Sequence, residues 1–426
     1  MVRVDKIIPG GEALGTTKNG KKIFFWNALP GETVTEYQTT KIKSSFERAI
    51  ATKVANQSPH RISPKDWCYL STSPWQIMNY DYELSLKQDL VVEIFREHQI
   101  EINKPGIITD GNPYLYRNKM EYALYWDQAT SKIRLAFHVR GSHAKVPITN
   151  SSIERPEIFT AAKQIVTDLN SRGEEARKYQ SLLFRCNQAG QISGGLFENG
   201  KPHPAFKNLT DKILDHEYSY SPNGFFQINL PVYELALKEI KKYITTDKVL
   251  DLYAGVGTIG LSVARDKRLT LVECDKSAYA ELVRNCQGII NEDPTRLTRS
   301  GKSEAPPITM GRSERVRIDD GLAAEKNDVV RSGNILAILA KSEEVTDYIA
   351  PDTTIILDPP RAGCETKLIN RLLEIKPPKI IYLSCNPATQ ARDIKSLLGF
   401  YKIEQIKTFN FFPRTPHIEN LVVLSL

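Results

Sequence analysis

The stretch VLDLYAGVGTIGLSVA, residues 249–264, decides the fold. It begins as an apolar segment that carries Asp251, continues through a turn with Gly255 and Gly257, and ends in small residues typical of a helix start. Glycines in such a turn let the backbone approach a ligand closely, although a tight strand-to-helix turn without a ligand explains the pattern equally simply. A strand, a glycine-rich turn and a helix are typical of a doubly wound α/β sheet.

The same alternation of helix and strand extends from residue 232 to the end of the sequence. Apolar runs with β-branched residues predict strands at 248–252, 269–273, 329–333, 353–357, 379–384, 402–408 and 420–425. This order predicts a mostly parallel, doubly wound sheet of the Rossmann-like type. Residues 291–327 interrupt it, and their polar, proline-bearing composition predicts a flexible surface insertion.

The part of the chain before residue 231 has a different pattern. Short β-type runs separated by Gly and Pro turns predict a small antiparallel β-barrel over residues 1–58. Residues 59–230 mix strands with helices at about 81–98 and 155–172, which indicates a central α+β region that contacts RNA in the interpretation below. The third predicted domain, residues 231–426, is the doubly wound one.

Charge and cysteine content restrict the setting in which the protein works. Residues 1–65 contain 11 Lys/Arg and 5 Asp/Glu, a net +6 of the chain's +7, which suggests a polyanionic partner. There is no apolar run long enough to span a membrane and no apolar segment typical of a signal peptide. Six cysteines without paired spacings indicate reduced thiols, so we expect a cytoplasmic protein without a membrane partner.

Two further strand ends carry side chains suited to a cofactor. LTLVECD (269–275) ends in Glu273, whose carboxylate could accept hydrogen bonds from both hydroxyls of a ribose. This favours a nucleoside-containing cofactor and leaves a dinucleotide and S-adenosylmethionine as alternatives. TTIILDPPRAGC (353–364) ends in Asp358 followed by two prolines, which hold the turn extended and leave the carboxylate facing the crevice.

A cysteine ends the strand KIIYLS (379–384). Cys385 comes directly before Asn386 and Pro387, which stop the strand and open a helix. A buried cysteine is usually a small apolar side chain. However, ligands of open α/β sheets bind outside the carboxyl ends of strands, so this position favours a functional thiol.

Taken in order, DLYAGVGTIGL, LDPPRAGC, LSCNPATQARD and FFPRTPHIEN resemble the RNA uracil-C5 methyltransferase family, and GGEALGTTKNGKKIFFWNALPGETV resembles its RNA-binding TRAM domain. The acidic-Pro-Pro motif is similar to that of methyltransferases acting on nucleic-acid bases. The resemblance covers nearly the whole chain apart from the insertion. It implies S-adenosylmethionine as the cofactor, RNA as the partner, and transfer of a methyl group to uracil C5.

The resemblance also implies roles for single residues. Cys385 matches the family's nucleophile at uracil C6, and the helix that opens after it can help stabilise a thiolate. Glu419 matches the base that removes the C5 proton, ahead of the nearby His417. The residues that match the family's cofactor site are Gln227, Tyr253, Thr258, Glu273, Asn334 and Asp358.

Two further motifs bear on the resemblance, one as a departure from the family pattern and one as a match to it. Some relatives bind an iron–sulfur cluster through four cysteines, but here only Cys68 remains, because Thr72, Trp75 and Val146 occupy the other matching positions. We therefore expect no metal. YLYRNKMEYAL (114–124) also resembles a family motif, in which Arg117 and Lys119 could meet RNA phosphate or support the fold.

Alternatives to this function remain open at the level of sequence. An exocyclic-amine methyltransferase would use the acidic-Pro-Pro motif but not Cys385 or Glu419, and its motif normally ends in an aromatic residue where this chain has Arg361. A non-catalytic RNA-binding protein would need neither side chain. A TRAM domain favours ribosomal RNA over transfer RNA as the substrate, and we expect a monomer.

Overall fold

The computed structural model describes residues 1–203, 206–292 and 328–426. The predicted insertion at 291–327 therefore lies outside the described residues, apart from its first two. The chain forms two compact units. One contains Met1–Lys207 and Thr408–Glu419, and the other contains Asn208–Lys407 and Asn420–Leu426. This division differs from the three predicted domains, because the segment 408–419 belongs to the unit that contains the barrel.

The first unit contains three helices and twelve strands among its described residues. In chain order they are β1 (Val2–Ile7), β2 (Ala13–Thr16), β3 (Lys22–Trp26), β4 (Thr33–Ile42), β5 (Phe46–Ala55), α1 (Tyr69–Thr72), α2 (Tyr80–Glu97), β6 (Gly106–Ile108), β7 (Lys119–Asp127), β8 (Lys132–His138), β9 (Lys145–Pro147), α3 (Pro156–Ser171), β10 (Ser181–Cys186), β11 (Ile192–Glu198) and β12 (Lys201–His203). The predicted helices at about 81–98 and 155–172 correspond to α2 and α3.

A closed barrel with the strand order β1-β2-β3-β5-β4 confirms the predicted N-terminal β-barrel, although β3 and β5 pair in parallel rather than antiparallel as predicted. Its interior is filled by alternating apolar side chains, among them Val4, Ile23, Phe25 and Val34, each at most 1% exposed. Closure leaves no unpaired strand edge, so a barrel of this size is a stable support for surface groups.

The rest of the first unit is built on a six-stranded sheet with the order β12-β11-β10-β7-β8-β9. One face of this sheet packs against α3 through a core that includes Met120, Tyr122, Leu182 and Phe184. Cys68 also lies in this core, where burial raises the pKa of its thiol to about 11. The Cys68 side chain packs among the apolar residues of this core.

The segment 408–419 is held on α2 by a buried cluster of charged side chains. Lys87 and Glu83 are fully buried and form an ion pair at 3.2 Å. The Lys87 ammonium also donates to Asn410 Oδ1 (2.6 Å) and Phe412 O (3.0 Å). The Arg414 amide donates to both Glu83 oxygens (3.0 and 3.1 Å), although Arg414 has a left-handed backbone with φ +64°. Burial lowers the pKa of Lys87, and the adjacent carboxylate opposes that shift.

The second unit contains five helices and ten strands among its described residues. They are β13 (Leu209–Ile213), β14 (His216–Tyr220), α4 (Leu230–Lys241), β15 (Lys248–Leu252), α5 (Thr258–Ala264), β16 (Arg268–Glu273), α6 (Lys276–Glu292), β17 (Asp328–Ser332), β18 (Ile335–Leu339), β19 (Thr353–Leu357), α7 (Thr366–Ile375), β20 (Lys379–Ser384), α8 (Pro387–Leu397), β21 (Lys402–Phe409) and β22 (Glu419–Ser425).

The sheet of this unit has the order β17-β18-β16-β15-β19-β20-β22-β21. Neighbouring strands from β18 to β20 are parallel, whereas β17 and β22 are antiparallel to their partners. The predicted mostly parallel, doubly wound sheet is therefore confirmed. The sequence interpretation missed β18, which follows β17 after a turn at Gly333 and Asn334.

Within the described residues, no helix is long and apolar enough to cross a membrane.

Candidate functional site

Four candidate residues lie at one edge of the parallel sheet. Tyr253 comes directly after β15, Glu273 ends β16, Asp358 follows β19 and Cys385 follows β20. These four strands are hydrogen-bonded neighbours that run in the same direction. Their carboxyl ends therefore meet at one edge of the sheet, where doubly wound folds bind ligands.

Glu273 closes the glycine-rich turn and still has acceptor capacity. Its two oxygens accept hydrogen bonds from the amides of Gly255 (2.8 Å) and Asp275 (2.6 Å). Each carboxylate oxygen has a second lone pair that can accept a ribose hydroxyl. Gly255 has φ +58°, and a Cβ built on it would meet no atom within 4 Å, so the space above the turn is open. The acceptor oxygens of Glu273 and the open space above the turn fit a nucleoside cofactor.

Asp251 is a buried carboxylate that the sequence interpretation did not assign to the site. Its Oδ2 accepts the amide hydrogen of Gly260 at 2.8 Å, while Oδ1 has no hydrogen-bond partner among the described residues. Burial raises the pKa of Asp251 to about 8. The unpartnered oxygen fits a cationic group of a ligand, such as the ammonium of a methionine moiety, because that charge would compensate its burial.

Thr258 and Tyr253 are held by the surrounding structure. The Thr258 hydroxyl is hydrogen-bonded to the hydroxyl of Tyr233 on α4, at 2.7 Å. Tyr253 has a left-handed backbone with φ +66°, and its side chain is close enough to Ser342 and Cys364 for both to affect the pKa of its hydroxyl, which burial raises. Ser342 follows β18 at its carboxyl end, so this contact was not predictable while β18 was unrecognised. Strain of this kind persists where neighbouring groups fix the conformation.

Asp358 is a half-buried carboxyl group, and burial raises its pKa to about 7. A protonated carboxyl group can donate a hydrogen bond to a carbonyl oxygen, and an ionised one can only accept. Either state can bind a polar group of a ligand at this edge of the sheet.

The structure does not bring Asn334 to this edge. Asn334 lies in the turn that precedes β18, and its side-chain amide donates to Arg265 O (2.8 Å) and to Lys267 O. Because β18 runs parallel to β16 and starts beside Leu269, Asn334 lies at the amino ends of the strands. Cofactors bind at the opposite edge, so this placement does not support the predicted cofactor contact.

Gln227 lies in the segment between β14 and α4 and is half-buried. The preceding Phe226 is 4% exposed and stacks on Tyr220, with ring centroids 3.8 Å apart. Phe226 is therefore a core residue, and it fixes the backbone at the position where the Gln227 side chain begins. The role of Gln227 in cofactor or base binding remains a prediction.

Cys385 and Glu419 each lie next in sequence to one member of a paired position in the sheet, Ser384 opposite Asn420. The antiparallel pairing of β20 with β22 runs from Lys379 opposite Ser425 to Ser384 opposite Asn420. Cys385 follows Ser384 in the chain, and Glu419 precedes Asn420. The register of this strand pair therefore brings the predicted nucleophile and the predicted base to the same end of it. Cys385 is half-buried and Glu419 is 3% exposed.

The loop after Asp358 is fastened to the helix that follows Cys385. Asn386 donates from its side chain to Arg361 O at 2.8 Å. Asp393 on α8 is buried, and its Oδ2 accepts the amide of Cys364 and the hydroxyl of Tyr382, both at 2.8 Å. These contacts give the Asp358 turn and the Cys385 turn one fixed geometry.

Gly363 is the residue at which the loop after Asp358 packs most closely against α8, and this gives a testable prediction. It has φ +80°, and an added Cβ would lie 2.6 Å from Arg392 Nη2 and 2.7 Å from Asp393 Oδ2. We expect Gly363→Ala to destabilise the protein by about 1–3 kcal/mol, as strained replacements usually do, and to lower activity more than cofactor affinity. Denaturant unfolding and calorimetry measure both. Gly399→Ala is the control, because its Cβ would meet no atom within 4 Å; equal effects of the two variants would contradict the prediction.

Among the described residues, no group of three or more His, Cys, Asp or Glu side chains is arranged to hold a metal ion.

Comparisons with known proteins agree with this geometry. Residues 339–426 match the family model for tRNA (uracil-5-)-methyltransferases. A Bacillus anthracis protein described as an uncharacterized RNA methyltransferase is 26% identical, covering 100% of this chain and 96% of its own length. A Synechocystis protein described in the same way is 24% identical, covering 97% of this chain and 93% of its own length.

A solved structure has the same fold over its full length. The Pyrococcus abyssi tRNA (uracil-54, C5)-methyltransferase, in complex with S-adenosyl-L-homocysteine, superimposes with a TM-score of 0.69 at 22% identity, covering 100% of both chains. The family resemblance expected from the sequence is confirmed. The chain is thus similar over its whole length to proteins described as RNA methyltransferases, and its C-terminal residues 339–426 are similar to the tRNA (uracil-5-)-methyltransferase family.

Proposed function

We propose that the protein methylates C5 of a uracil in RNA through a covalent adduct with Cys385, with Glu419 as the base. The register of β20 and β22 is the observation that carries this proposal, because it brings these two side chains to one end of a strand pair. Neither an exocyclic-amine methyltransferase nor a non-catalytic RNA-binding protein has a use for that pair.

The chemistry explains why both groups are needed. Uracil C5 is too weak a nucleophile to accept a methyl group from a sulfonium directly. Addition of the Cys385 thiolate to C6 breaks the 5,6 double bond and places enolate electron density on C5. Bound S-adenosylmethionine would supply the methyl group for C5, with its bond from sulfur to the methyl carbon broken and S-adenosylhomocysteine as the leaving group. Glu419 removes the C5 proton, the 5,6 double bond re-forms, and the thiolate leaves.

The cofactor is proposed to lie over the glycine-rich turn. Glu273 would accept hydrogen bonds from the ribose hydroxyls, and Asp251 would face the methionine ammonium. Asp358, Tyr253, Thr258 and Gln227 would complete the site. In this arrangement the residues at the ends of β15 and β16 hold most of the cofactor, Asp358 after β19 completes its site, and Cys385 after β20 faces the base.

Two RNA classes are candidate substrates. The barrel favours ribosomal RNA, as expected from the sequence. The names of the matched family model and of the archaeal structure favour transfer RNA. The test is to incubate ribosomal and transfer RNA from cells lacking the protein with methyl-labelled S-adenosylmethionine, followed by mass spectrometry of the nucleosides. We expect 5-methyluridine in one class. A methylated exocyclic amine, or no product in either class, would contradict the proposal.

The barrel is proposed to anchor the RNA, which gives a further prediction. Lys41 and Lys43 are exposed at the turn between β4 and β5. Replacing both by alanine should weaken RNA binding and reduce the slope of log affinity against log salt by about 0.7–0.9 for each phosphate that the protein no longer neutralises. The control replaces the exposed Lys238 and Lys402 of the second unit. Binding titrations at several salt concentrations decide; identical slopes for both double variants would contradict an anchoring barrel.

A further inference from the structure

A small patch on the first unit exposes large apolar side chains beside a cation. Trp67 is 56% exposed and Leu115 is 54% exposed, and Lys65 lies two positions before Trp67 in the chain. Single exposed apolar residues are normal on protein surfaces and need no explanation. Here, however, two of them lie on segments that the fold holds together. Lys65, Trp67, Tyr114 and Leu115 are called the Trp67 patch below.

Asp66 joins the two segments. It is 1% exposed, and its Oδ2 accepts hydrogen bonds from the Ser152 hydroxyl (2.7 Å) and the Ser152 amide (3.1 Å). The carbonyl oxygen of Ser152 in turn accepts the amide of Leu115 at 2.9 Å. Ser152 is therefore hydrogen-bonded both to the side chain of Asp66, which directly precedes Trp67, and to the backbone of Leu115.

The two aromatic side chains of the patch, Tyr114 and Trp67, differ in their contacts with cations. Lys65 Nζ lies 3.9 Å from the ring centroid of Tyr114, and the Arg414 guanidinium lies 5.0 Å from it. The Tyr114 ring therefore already interacts with two cations. In the described part of the chain, no aromatic ring or cation stacks on Trp67. The indole is the ring of this patch that is available to a ligand.

The backbone conformation of Leu115 also indicates that its exposed side chain has a function. Leu115 has φ +56°, a left-handed conformation that leucine rarely adopts. Such residues persist where the surrounding structure fixes them, and they cluster at ligand-binding positions. Here the neighbouring Tyr116 is anchored through its hydroxyl to Pro413 O (3.0 Å), so Leu115 stands exposed between a buried tyrosine and a half-buried one.

The chemistry of the patch selects its ligand. The exposed indole of Trp67 and the exposed Leu115 side chain lie on segments joined through Asp66 and Ser152, and they offer apolar surface for a flat group. Lys65 supplies a positive charge two positions before Trp67, whereas Asp66 is buried. Unpaired nucleotides have this combination of a flat base and an anionic phosphate, and they bind proteins by stacking on aromatic side chains. We propose that an unpaired base of the RNA substrate stacks on Trp67 beside Leu115, with its phosphate near Lys65. This inference rests on the proposed RNA methylation.

The test compares two exposed tryptophans. Trp126, on β7, is 43% exposed and serves as the matched control. The dissociation constant of the RNA class that the wild-type protein methylates is measured by fluorescence anisotropy of a labelled transcript. We expect Trp67→Ala to bind about 5- to 150-fold more weakly, the range for loss of one base stack. Trp67→Phe should retain most of the affinity, and Trp126→Ala should bind like wild type. The KM for RNA should rise in Trp67→Ala while kcat at saturating RNA stays within about twofold.

The outcomes separate this inference from the proposed function. If the wild-type protein makes no 5-methyluridine, the proposed function fails, and the inference fails with it. If the wild type is active but Trp67→Ala and Trp126→Ala bind the transcript equally, only the stacking site is wrong. Unchanged RNA affinity together with a changed oligomeric state in sedimentation would assign the patch to a second copy of the chain and overturn the inference.

Discussion

Replacing Cys385 by alanine is expected to abolish methylation of uracil while leaving the affinity for S-adenosylmethionine near that of the wild type. The thiol acts on uracil C6, whereas the proposed cofactor contacts come from β15, β16 and the turns that follow them. Loss of a covalent nucleophile costs many orders of magnitude in rate, so we expect at least about a 10⁴-fold loss of activity. Product formation by mass spectrometry and cofactor binding by calorimetry measure the two effects separately.

RNA that carries 5-fluorouridine at the target tests the nucleophilic role of Cys385 more directly. Fluorine cannot leave as a proton, so the wild-type protein should remain bonded to the RNA on a denaturing gel, and Cys385→Ala should not. Cys274→Ala is the control, because Cys274 is an exposed thiol of the same unit. Its adduct should form as in the wild type. An adduct with Cys385→Ala, or loss of cofactor affinity in that variant, would contradict the assigned role.

The second large effect is expected for Glu419→Gln. Addition of the thiolate and methylation of C5 do not use this carboxylate, so both steps should still occur. Removal of the C5 proton should slow by about a hundred- to ten-thousand-fold. Elimination then stalls, and the methylated base stays bonded to Cys385. We therefore expect a slow enzyme that accumulates a covalent RNA adduct carrying a methyl group.

Two labels establish that adduct. Gels run once with labelled RNA and once with methyl-labelled cofactor should show the same slow-migrating band. Glu217→Gln, a replacement of an exposed glutamate on β14, is the control and should turn over normally. A slow Glu419→Gln variant without an adduct would transfer the base role to another group, with His417 the next candidate. Normal turnover would show that Glu419 has no role in proton removal.

Much of the fold of the second unit was predictable because its strands are short apolar runs that stop at Gly, Pro or acidic residues. β18 was missed because it follows β17 after a turn of only two residues, Gly333 and Asn334, and only the first strand of this pair was predicted, at 329–333. The error over Asn334 follows directly. A residue in the turn before a parallel strand lies at the amino edge of the sheet, whereas a residue after such a strand lies at the ligand-binding edge.

The positions of Cys385 and Glu273 at the carboxyl ends of strands were predictable, because the motifs that contain them mark where those strands end. The site was not predictable where a role depends on packing between distant segments. Asp393 is one such residue, since nothing in its sequence neighbourhood indicates that it binds the Cys364 amide and the Tyr382 hydroxyl. Asp251 is another, because its unpartnered oxygen emerges only from the folded geometry.

The buried cluster of Glu83, Lys87 and Arg414 has a consequence for how the sequence can change over evolutionary time. Removing one charge would leave the others buried without compensation, which typically costs about 3–5 kcal/mol, a large part of the stability of most domains. Replacing the charges together by apolar groups of similar volume is often neutral. The three positions should therefore be strongly epistatic. Descendants of this chain are expected to keep all three charges or to exchange them in a concerted way, although Glu83 and Arg414 are 331 positions apart in the sequence.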